Sequence, residues 1–224
     1  MRDVGGRTVL ERVINRLERC TSLTSIVVAT TTQSVDDAIV LACVDLNVTC
    51  TRGSEKDVLD RYCQTAKKMN ADYVVRITSD CPLIDPELVD RTVELFFEQR
   101  ADYASNSISR TYPQGLDTEV FSFSALERAW KEAARDYERE HVTPYLYEHP
   151  GLFRLASLTN PIDFSHHRWT LDTVEDLVLV RELYSRLGNR DYFRWQEALT
   201  AAEREPALAY LNSHILQKHY THAG

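Results

Sequence analysis

The sequence has 224 residues, of which 43% are hydrophobic and 27% are charged, enough for one sizeable α/β domain over residues 1–224. Its formal net charge is −8 and no basic run exceeds two residues, which excludes nucleic acid and anionic membrane surfaces as principal partners. The lack of an apolar run of transmembrane length or a signal-peptide pattern, and five cysteines in no zinc-binding spacing, predict a cytoplasmic protein with reduced thiols.

The first half of the chain alternates predicted helices and strands. Thr8 and Glu11 form a capping-box pair at the start of the first helix. The predicted elements are an irregular start at residues 1–6, a helix from residue 8, a strand at 25–30, a helix from 34 to about 46, a strand at 48–51, and a helix capped by Ser54 and Asp57. This alternation predicts a parallel, right-handed, Rossmann-like sheet, in which the strand at 25–30 is covered on both faces. Neither a GxGxxG fingerprint nor a Walker-type phosphate loop occurs.

The stretch at residues 73–86 is the centre of the predicted fold. Residues 73–77 form a short β-branched run that ends in Thr78, Ser79 and Asp80. Pro82 stops the strand, and Asp85 followed by Pro86 predicts a helix N-cap and first turn. A carboxylate at the C-terminal end of a buried strand lies where open α/β sheets bind ligands. From this stretch alone, a role for Asp80 as a plain turn cap is an equally good interpretation.

The second half has a mixed pattern, typical of antiparallel strands added to an α/β core and of a lid over a substrate. The predicted elements are strands at 103–106 and 119–123 around a polar loop at 107–118, a helix capped by Ser124 and Glu127, a helix at 138–148, strands at 153–159 and 167–171, a helix capped by Thr173 and Asp176 that runs through Leu187, and two tail helices within 190–218 divided near Pro206.

Asp172 resembles Asp80 in its setting, because it ends a β-rich run and precedes a capped helix. Strand alternation places Arg168, Thr170 and Asp172 on one face. Two carboxylates at the ends of different strands are able to share Mg²⁺, which needs only one or two protein carboxylates plus phosphate oxygens. The alternative is that Asp172 merely precedes the helix cap. Asp176 needs only the capping interpretation.

Two further groups of residues are candidates for binding. Arg52 and Ser54 precede a helix start, where backbone amides and an arginine can hold a nucleotide base or phosphate. A plain strand–turn–helix with a serine cap explains this segment equally well. Among the histidines, His166 and His167 are predicted to be polar surface residues, and His141 is kept as a candidate ligand or acid/base group.

Five segments together resemble one family. They are RITSDCPLIDPELVD, RGSEKDVLDRY, GLDTEVFS, EREHVTPYL and RWTLDTVEDL, spread over nearly the whole chain. Each is weak alone, but the set is similar to the cytidylyltransferase-type family. That family includes the spore-coat polysaccharide biosynthesis protein F group and, more distantly, CMP-KDO and CMP-sialate synthetases.

The resemblance implies an α/β fold of the nucleotide-diphospho-sugar transferase, glycosyltransferase A type: a Rossmann-like three-layer sandwich with a mostly parallel sheet. It implies transfer of CMP from CTP to a sugar or sugar acid, with release of pyrophosphate, in surface or coat polysaccharide synthesis. It also implies Mg²⁺ ligation and catalysis by Asp80 and Asp172. The remaining implied roles are nucleotide binding by Arg52, Ser54, Arg76, Thr78 and Ser79, and sugar binding by Asp117, Glu119, His141 and Arg168.

The resemblance has one departure at its start. The family opens with a strand and a glycine-, arginine- and lysine-containing loop that grips the triphosphate, and residues 1–13 align just after that loop. The strands at 25–30 and 73–77 are therefore expected to flank a gap rather than to pair with each other. Two alternative functions stay open: a glycosyltransferase that consumes a nucleotide sugar, and a truncated, non-catalytic nucleotide-binding homologue. The resemblance also suggests a homodimer, with the aromatic segment at 137–147 as a candidate contact surface.

Overall fold

The computed structural model describes residues 2–215. Its strands are β1 (Asp3–Val4), β2 (Arg7–Thr8), β3 (Val27–Thr31), β4 (Thr49–Gly53), β5 (Tyr73–Arg76), β6 (Tyr103–Ser105), β7 (Glu119–Ser122) and β8 (Leu155–Ser157). Its α-helices are α1 (Val9–Leu17), α2 (Asp37–Asp45), α3 (Val58–Lys68), α4 (Pro86–Glu98), α5 (Phe123–Glu132), α6 (Asp136–His141), α7 (Pro144–Tyr147), α8 (Val174–Arg186), α9 (Trp195–Arg204) and α10 (Pro206–Tyr210). Most of these elements lie within a few residues of their predicted positions.

The main sheet has four strands in the order β5–β7–β6–β8. β7 is antiparallel to both of its neighbours and β6 is parallel to β8, so three strands run in one direction and β7 alone is reversed. β3 and β4 form a separate parallel pair. Together with helices on both faces, this arrangement confirms the predicted α/β, Rossmann-like class.

The two faces of the main sheet pack against different helices. Tyr103 and Phe121 belong to a core cluster with residues of α3, α5 and α7. Ala104 and Val120, which alternate with them along β6 and β7, belong to a cluster with Val93 and Phe96 of α4. Because successive strand residues point to opposite faces, this alternation produces the predicted three layers.

β3 and β5 do not pair with each other, as expected. Within residues 2–215, hydrogen-bonded strand pairing joins β3 only to β4 and β5 only to β7. The prediction that β3 is covered on both faces is wrong in part, because Val27, Val28 and Ala29 are only half-buried. A strand with one unpaired edge lacks the neighbour that would shield its side chains.

The N-terminal segment is more ordered than the sequence indicated. Instead of an irregular start, β1 and β2 form a small antiparallel hairpin that pairs Val4 with Arg7. Gly5 and Gly6 occupy its two-residue turn with φ of 61° and 86°, the left-handed conformations that such turns require. Arg12 of α1 donates to the carbonyl oxygens of Val4 at 3.0 Å and Gly5 at 2.8 Å, which fixes the hairpin on the helix.

Three predicted elements of the second half are wrong. Residues 167–171 do not form a strand; Arg168 makes only an isolated parallel bridge with Gln114. The helix predicted at 138–148 is divided into α6 and α7, because Val142 has a φ of 74° and Pro144 begins a new helix. Ser122, rather than Ser124, caps α5 through the Ala125 amide.

The predicted break in the tail near Pro206 is confirmed by α9 and α10, while residues 216–218 of that prediction lie outside the described range. None of the helices in residues 2–215 is both long enough and apolar enough to cross a bilayer. All five cysteines, Cys20, Cys43, Cys50, Cys63 and Cys81, are free thiols.

Candidate active site

Asp80 lies in the turn that follows β5. The hydroxyl of Thr78 donates to its Oδ1, and the Cys81 thiol lies 3.5 Å from the same oxygen. Residues 81–86 are buried, whereas Ser79 is exposed and Asp80 is half-buried. Asp85 caps α4 as predicted, accepting from the Glu87 amide at 2.9 Å. The buried residues that follow the turn thus hold it in place, and the Asp80 carboxylate lies just beyond the C-terminal end of β5.

Asp117 lies beside this turn because of the register between β5 and β7. Arg76 pairs with Glu119, so continuation of the antiparallel register places Asp117 opposite Thr78. The Cys81 thiol is affected by both carboxylates. Burial raises its pKa well above the ordinary value, and the charges of Asp80 and Asp117 raise it further. Arg110 binds Asp117 through both terminal nitrogens, at 2.5 and 2.8 Å.

Glu119 is the centre of a buried hydrogen-bond network. Its carboxylate accepts from the Arg76 guanidinium, from the Tyr103 hydroxyl at 2.7 Å and from the Thr143 hydroxyl at 2.5 Å. Burial opposes the charge on Arg76, but the Glu119 carboxylate outweighs that effect and raises the guanidinium pKa above its usual value. Arg76 is therefore held charged at the end of β5.

Asp172 and Arg168 form a second cluster at the start of α8. Arg168 Nη2 lies 2.6 Å from Asp172 Oδ2, and the same guanidinium binds the fully buried Asp176 at 3.0 and 2.9 Å. Asp176 also accepts from the backbone amides of Asp172 and Thr173, both at 3.0 Å. Thr173 and Asp176 form the predicted capping box. Asp172 itself remains about half exposed, at 53% of its side chain.

One loop connects the two carboxylate segments. Gln114 donates its amide to the His167 carbonyl at 2.9 Å and accepts from the Trp169 amide at 2.8 Å. Gly115 has a φ of +93°, and a Cβ built there would lie 2.5 Å from the backbone nitrogen of Thr170, so only glycine fits. Three residues beyond Gln114, Asp117 lies opposite Thr78 when the β5–β7 register is continued. The loop at residues 110–118 therefore runs between both candidate metal ligands.

The family of the chain is shown by comparison with known proteins. A family model described as cytidylyltransferase matches residues 1–206. The chain belongs to the cytidylyltransferase family. An uncharacterized protein of Methanocaldococcus jannaschii is 41% identical over 221 residues, which cover 97% of this chain and 88% of that protein.

Two further proteins are also similar to this cytidylyltransferase over most of its length. The spore coat polysaccharide biosynthesis protein SpsF of Bacillus subtilis is 30% identical over 216 residues, covering 93% of this chain and 89% of that protein. A solved cytidylyltransferase structure from Leptospira borgpetersenii superimposes with a TM-score of 0.89 at 31% identity, covering 97% of this chain and 90% of that one. The resemblance inferred from the five motifs is confirmed, and the protein is a nucleotidyltransferase.

Arg52 and Ser54 of this cytidylyltransferase have partners within the chain. Arg52 forms an ion pair with Asp37 at 2.7 Å and donates to the carbonyl oxygens of Thr31 and Gln33, both at 2.8 Å. The Ser54 hydroxyl accepts from the Asp57 amide at 3.0 Å, and Asp57 caps α3. Both residues support the end of β4 and the following turn, the local role that the sequence also allowed.

His141 lies at the C-terminal end of α6. Burial lowers its pKa; Glu140 acts in the opposite direction, and the nearby charge of Arg76 adds to the lowering. The imidazole is therefore neutral at pH 7. Two residues further on, Thr143 donates to Glu119 at 2.5 Å, which connects this segment to the Glu119 network.

One arginine near the candidate site was not identified from the sequence. Arg61 is the fourth residue of α3 and donates through Nη1 to the Ser54 carbonyl oxygen at 2.6 Å. It belongs to the RGSEKDVLDRY segment, so the motif pointed to the correct region. The helical pattern of α3 did not predict that Arg61 is partly buried, because that burial depends on how α3 packs against the end of β4.

The carboxylates fit a magnesium ion that is also bound by phosphate. Within residues 2–215 no group of three or more His, Cys, Asp or Glu side chains is suited to hold a metal ion. One oxygen of Asp80 accepts from Thr78, and one oxygen of Asp172 accepts from Arg168, so each carboxylate has a second oxygen for another ligand. Mg²⁺ takes only one or two protein carboxylates and completes its shell with water and phosphate. Each carboxylate is therefore compatible with an ion whose remaining ligands come from the substrate and water.

Proposed function

We propose that this cytidylyltransferase transfers CMP from CTP to a hydroxyl group of a sugar or sugar acid and releases pyrophosphate. The observation that carries the proposal is that a single loop, residues 110–118, pairs with the segment before Asp172 and ends opposite the start of the turn that holds Asp80. Family membership supports the nucleotidyl transfer. The name of the Bacillus relative supports a role in surface or coat polysaccharide synthesis.

The reaction needs positioning and charge compensation more than covalent catalysis. The acceptor hydroxyl oxygen forms a bond to the α-phosphorus of CTP and its proton passes to water. The bond between the α-phosphorus and the bridging oxygen breaks, and pyrophosphate leaves with the electron pair. Asp80 and Asp172 are the residues that would hold Mg²⁺. The ion, when bound, neutralises phosphate charge and orients the reacting groups.

The other proposed site residues divide by position. Arg76, Thr78 and Ser79 lie at the end of β5 and are proposed for the nucleotide side. Arg52 and Ser54, at the end of β4, are also proposed for the nucleotide side, where their contacts within the chain hold them in place. Asp117, His141 and Arg168 are proposed for the sugar side. Glu119 is proposed to act there through Arg76 and Thr143, both of which it binds.

The test is a pyrophosphate-release screen with Mg²⁺, four nucleoside triphosphates, and both neutral sugars and sugar acids as acceptors. The proposal expects release that depends on CTP, on an acceptor and on Mg²⁺. In a parallel assay with nucleotide sugars, glycosyl transfer to an acceptor without CTP-dependent pyrophosphate release would instead identify a glycosyltransferase. A rise in melting temperature with CTP but no turnover would identify a non-catalytic nucleotide-binding homologue.

A further inference from the structure

Arg61 is placed by the packing of α3 against the end of β4. Its Cγ and Cβ lie so close to Gly53 that a Cβ built there would be 2.9 and 3.2 Å from them. Its Nη1 donates to the Ser54 carbonyl oxygen at 2.6 Å. The guanidinium is therefore fixed at the carboxyl ends of β3 and β4, the edge of the sheet where open α/β folds bind their ligands.

The charge of Arg61 lacks a direct counter-charge. Arg52 is paired with Asp37, Arg76 with Glu119 and Arg139 with Asp57, whereas the described part of the chain has no carboxylate within 4.0 Å of the Arg61 guanidinium. Burial lowers its pKa, and Tyr62 and Asp36 offset this only in part. Arg61 is half-buried, and a partly desolvated cation without a counter-charge favours an anion supplied from elsewhere.

The donors of Arg61 are also not saturated. With Nη1 bound to Ser54, the Nε and Nη2 edge of the fork remains, and its Nε is buried without a hydrogen-bond partner among residues 2–215. Arg76 likewise has an unpartnered Nε, and its Cζ lies 5.8 Å from the ring of Tyr62, the residue next to Arg61. Unlike Arg76, Arg61 is not neutralised by an adjacent carboxylate.

We infer that Arg61 binds a phosphate group of the nucleotide, an inference that rests on the proposed function. A guanidinium presents several N–H donors to phosphate oxygens, and the bound anion supplies the charge that Arg61 lacks within the chain. This assigns to α3 a nucleotide contact separate from Arg52 and Ser54, whose side chains have partners within the chain. The competing explanation is that Arg61 only holds the turn after β4 through Ser54.

The test compares dissociation constants of CTP, inorganic tripolyphosphate and cytidine by calorimetry in the presence of Mg²⁺. The proteins are the whole chain, Arg61→Met, Arg61→Lys and the control Arg139→Met. Arg139 supports the same turn through Asp57, at 2.5 Å, but its charge is already paired. Arg61→Met is expected to weaken CTP and tripolyphosphate roughly tenfold to a hundredfold and to leave cytidine unchanged. Arg61→Lys, which keeps the charge but loses the fork, should lie in between.

Each other outcome is decisive. Equal CTP affinity in Arg61→Met and the unsubstituted chain overturns the inference but not the proposed function. An equal loss for cytidine, or the same loss in Arg139→Met, shows that Arg61 acts only by holding the turn. Arg61-dependent binding of tripolyphosphate without binding of CTP keeps the phosphate site and overturns the proposed nucleotide. If the unsubstituted chain binds neither CTP nor tripolyphosphate, both proposals fail.

Discussion

The Arg168 guanidinium is fixed by the carboxylate of Asp176, with Nε 3.0 Å from Oδ1 and Nη2 2.9 Å from Oδ2. The same Nη2 lies 2.6 Å from Asp172 Oδ2. Asp176 is completely buried, while the side chain of Asp172 is 53% exposed. One arginine therefore joins a structural carboxylate to a carboxylate that is open to a ligand.

This difference in burial predicts that substitution of Asp176 affects stability, whereas substitution of Asp172 affects activity. Asp176→Asn should lower the free energy of unfolding by about 3 kcal/mol or more, because it leaves Arg168 without its buried counter-charge. Asp172→Asn should change stability by less than about 1 kcal/mol, since exposed ion pairs contribute little, but should strongly reduce pyrophosphate release. Urea denaturation and the release assay measure the two effects. Equal destabilisation by both substitutions would contradict the separation of roles.

Asp80→Asn is expected to reduce turnover by about two orders of magnitude or more, because the amide is a poor replacement for a carboxylate beside Mg²⁺. Its effect on stability should be small, since Asp80 is only half-buried and an amide oxygen can still accept from Thr78. Asp45→Asn, at an exposed position of α2, is the matched control and should retain full activity. Undiminished turnover of Asp80→Asn would remove this residue from the site.

Glu119→Gln should lower the unfolding free energy by about 2–4 kcal/mol, because it leaves the Arg76 charge buried without its partner. Tyr103→Phe removes a single donor from the same carboxylate and should cost only about 1 kcal/mol. Denaturant titrations of both variants measure the two losses of unfolding free energy and show whether that of Glu119→Gln is the larger. A loss of less than about 0.5 kcal/mol in Glu119→Gln would show that the network does not stabilise the fold.

His167 should make stability depend on pH. Burial lowers its pKa from 6.5 to about 4, and the charge of His166 adds to the effect. The unfolded chain takes up the proton first, so the stability contribution is present above pH 6.5 and is lost as the pH falls towards 4. Between pH 7.5 and 5, the unfolding free energy should fall by roughly 1–2 kcal/mol more than in His167→Phe, which cannot be protonated. Parallel pH profiles of the two proteins would disprove this.

We expect a homodimer in solution, with a light-scattering mass of twice the 25.8 kDa of one chain. Part of the predicted contact surface packs inside the chain itself. Tyr145 is buried, and the ring centroids of Tyr147 and Tyr103 are 6.1 Å apart. Tyr137 donates to Glu148 at 2.6 Å, at the edge of this segment. Tyr137→Glu should therefore weaken a dimer formed through α6 without disturbing the core. A mass equal to one chain at micromolar concentration would exclude the dimer.

The sequence by itself determined the elements whose signals are local. The caps at Thr8, Asp85 and Thr173 are formed by side chains that bond to amides two or three residues away, so spacing alone identifies them. The stop after β5, which ends at Arg76, is likewise marked by a local signal, Pro82 in the following turn. Five short motifs in order were also enough to identify the family, because their residue types and order can be compared without knowing the three-dimensional structure.

Only the tertiary structure decided which charged groups meet. Sequence spacing cannot show that Arg52 is held by Asp37 or that Glu119 binds Arg76, since those contacts join separate elements. It assigned Asp176 to the helix cap, but it could not show that Asp176 is buried while Asp172 is exposed. The absent strand at 167–171 has a similar origin, because contacts with Gln114 replaced the regular pairing that the local pattern predicted. The break at Val142 is different, since Pro144 is a local signal for it. Charge partners and burial depend on contacts between residues far apart in the chain, and those contacts exist only after the layers pack.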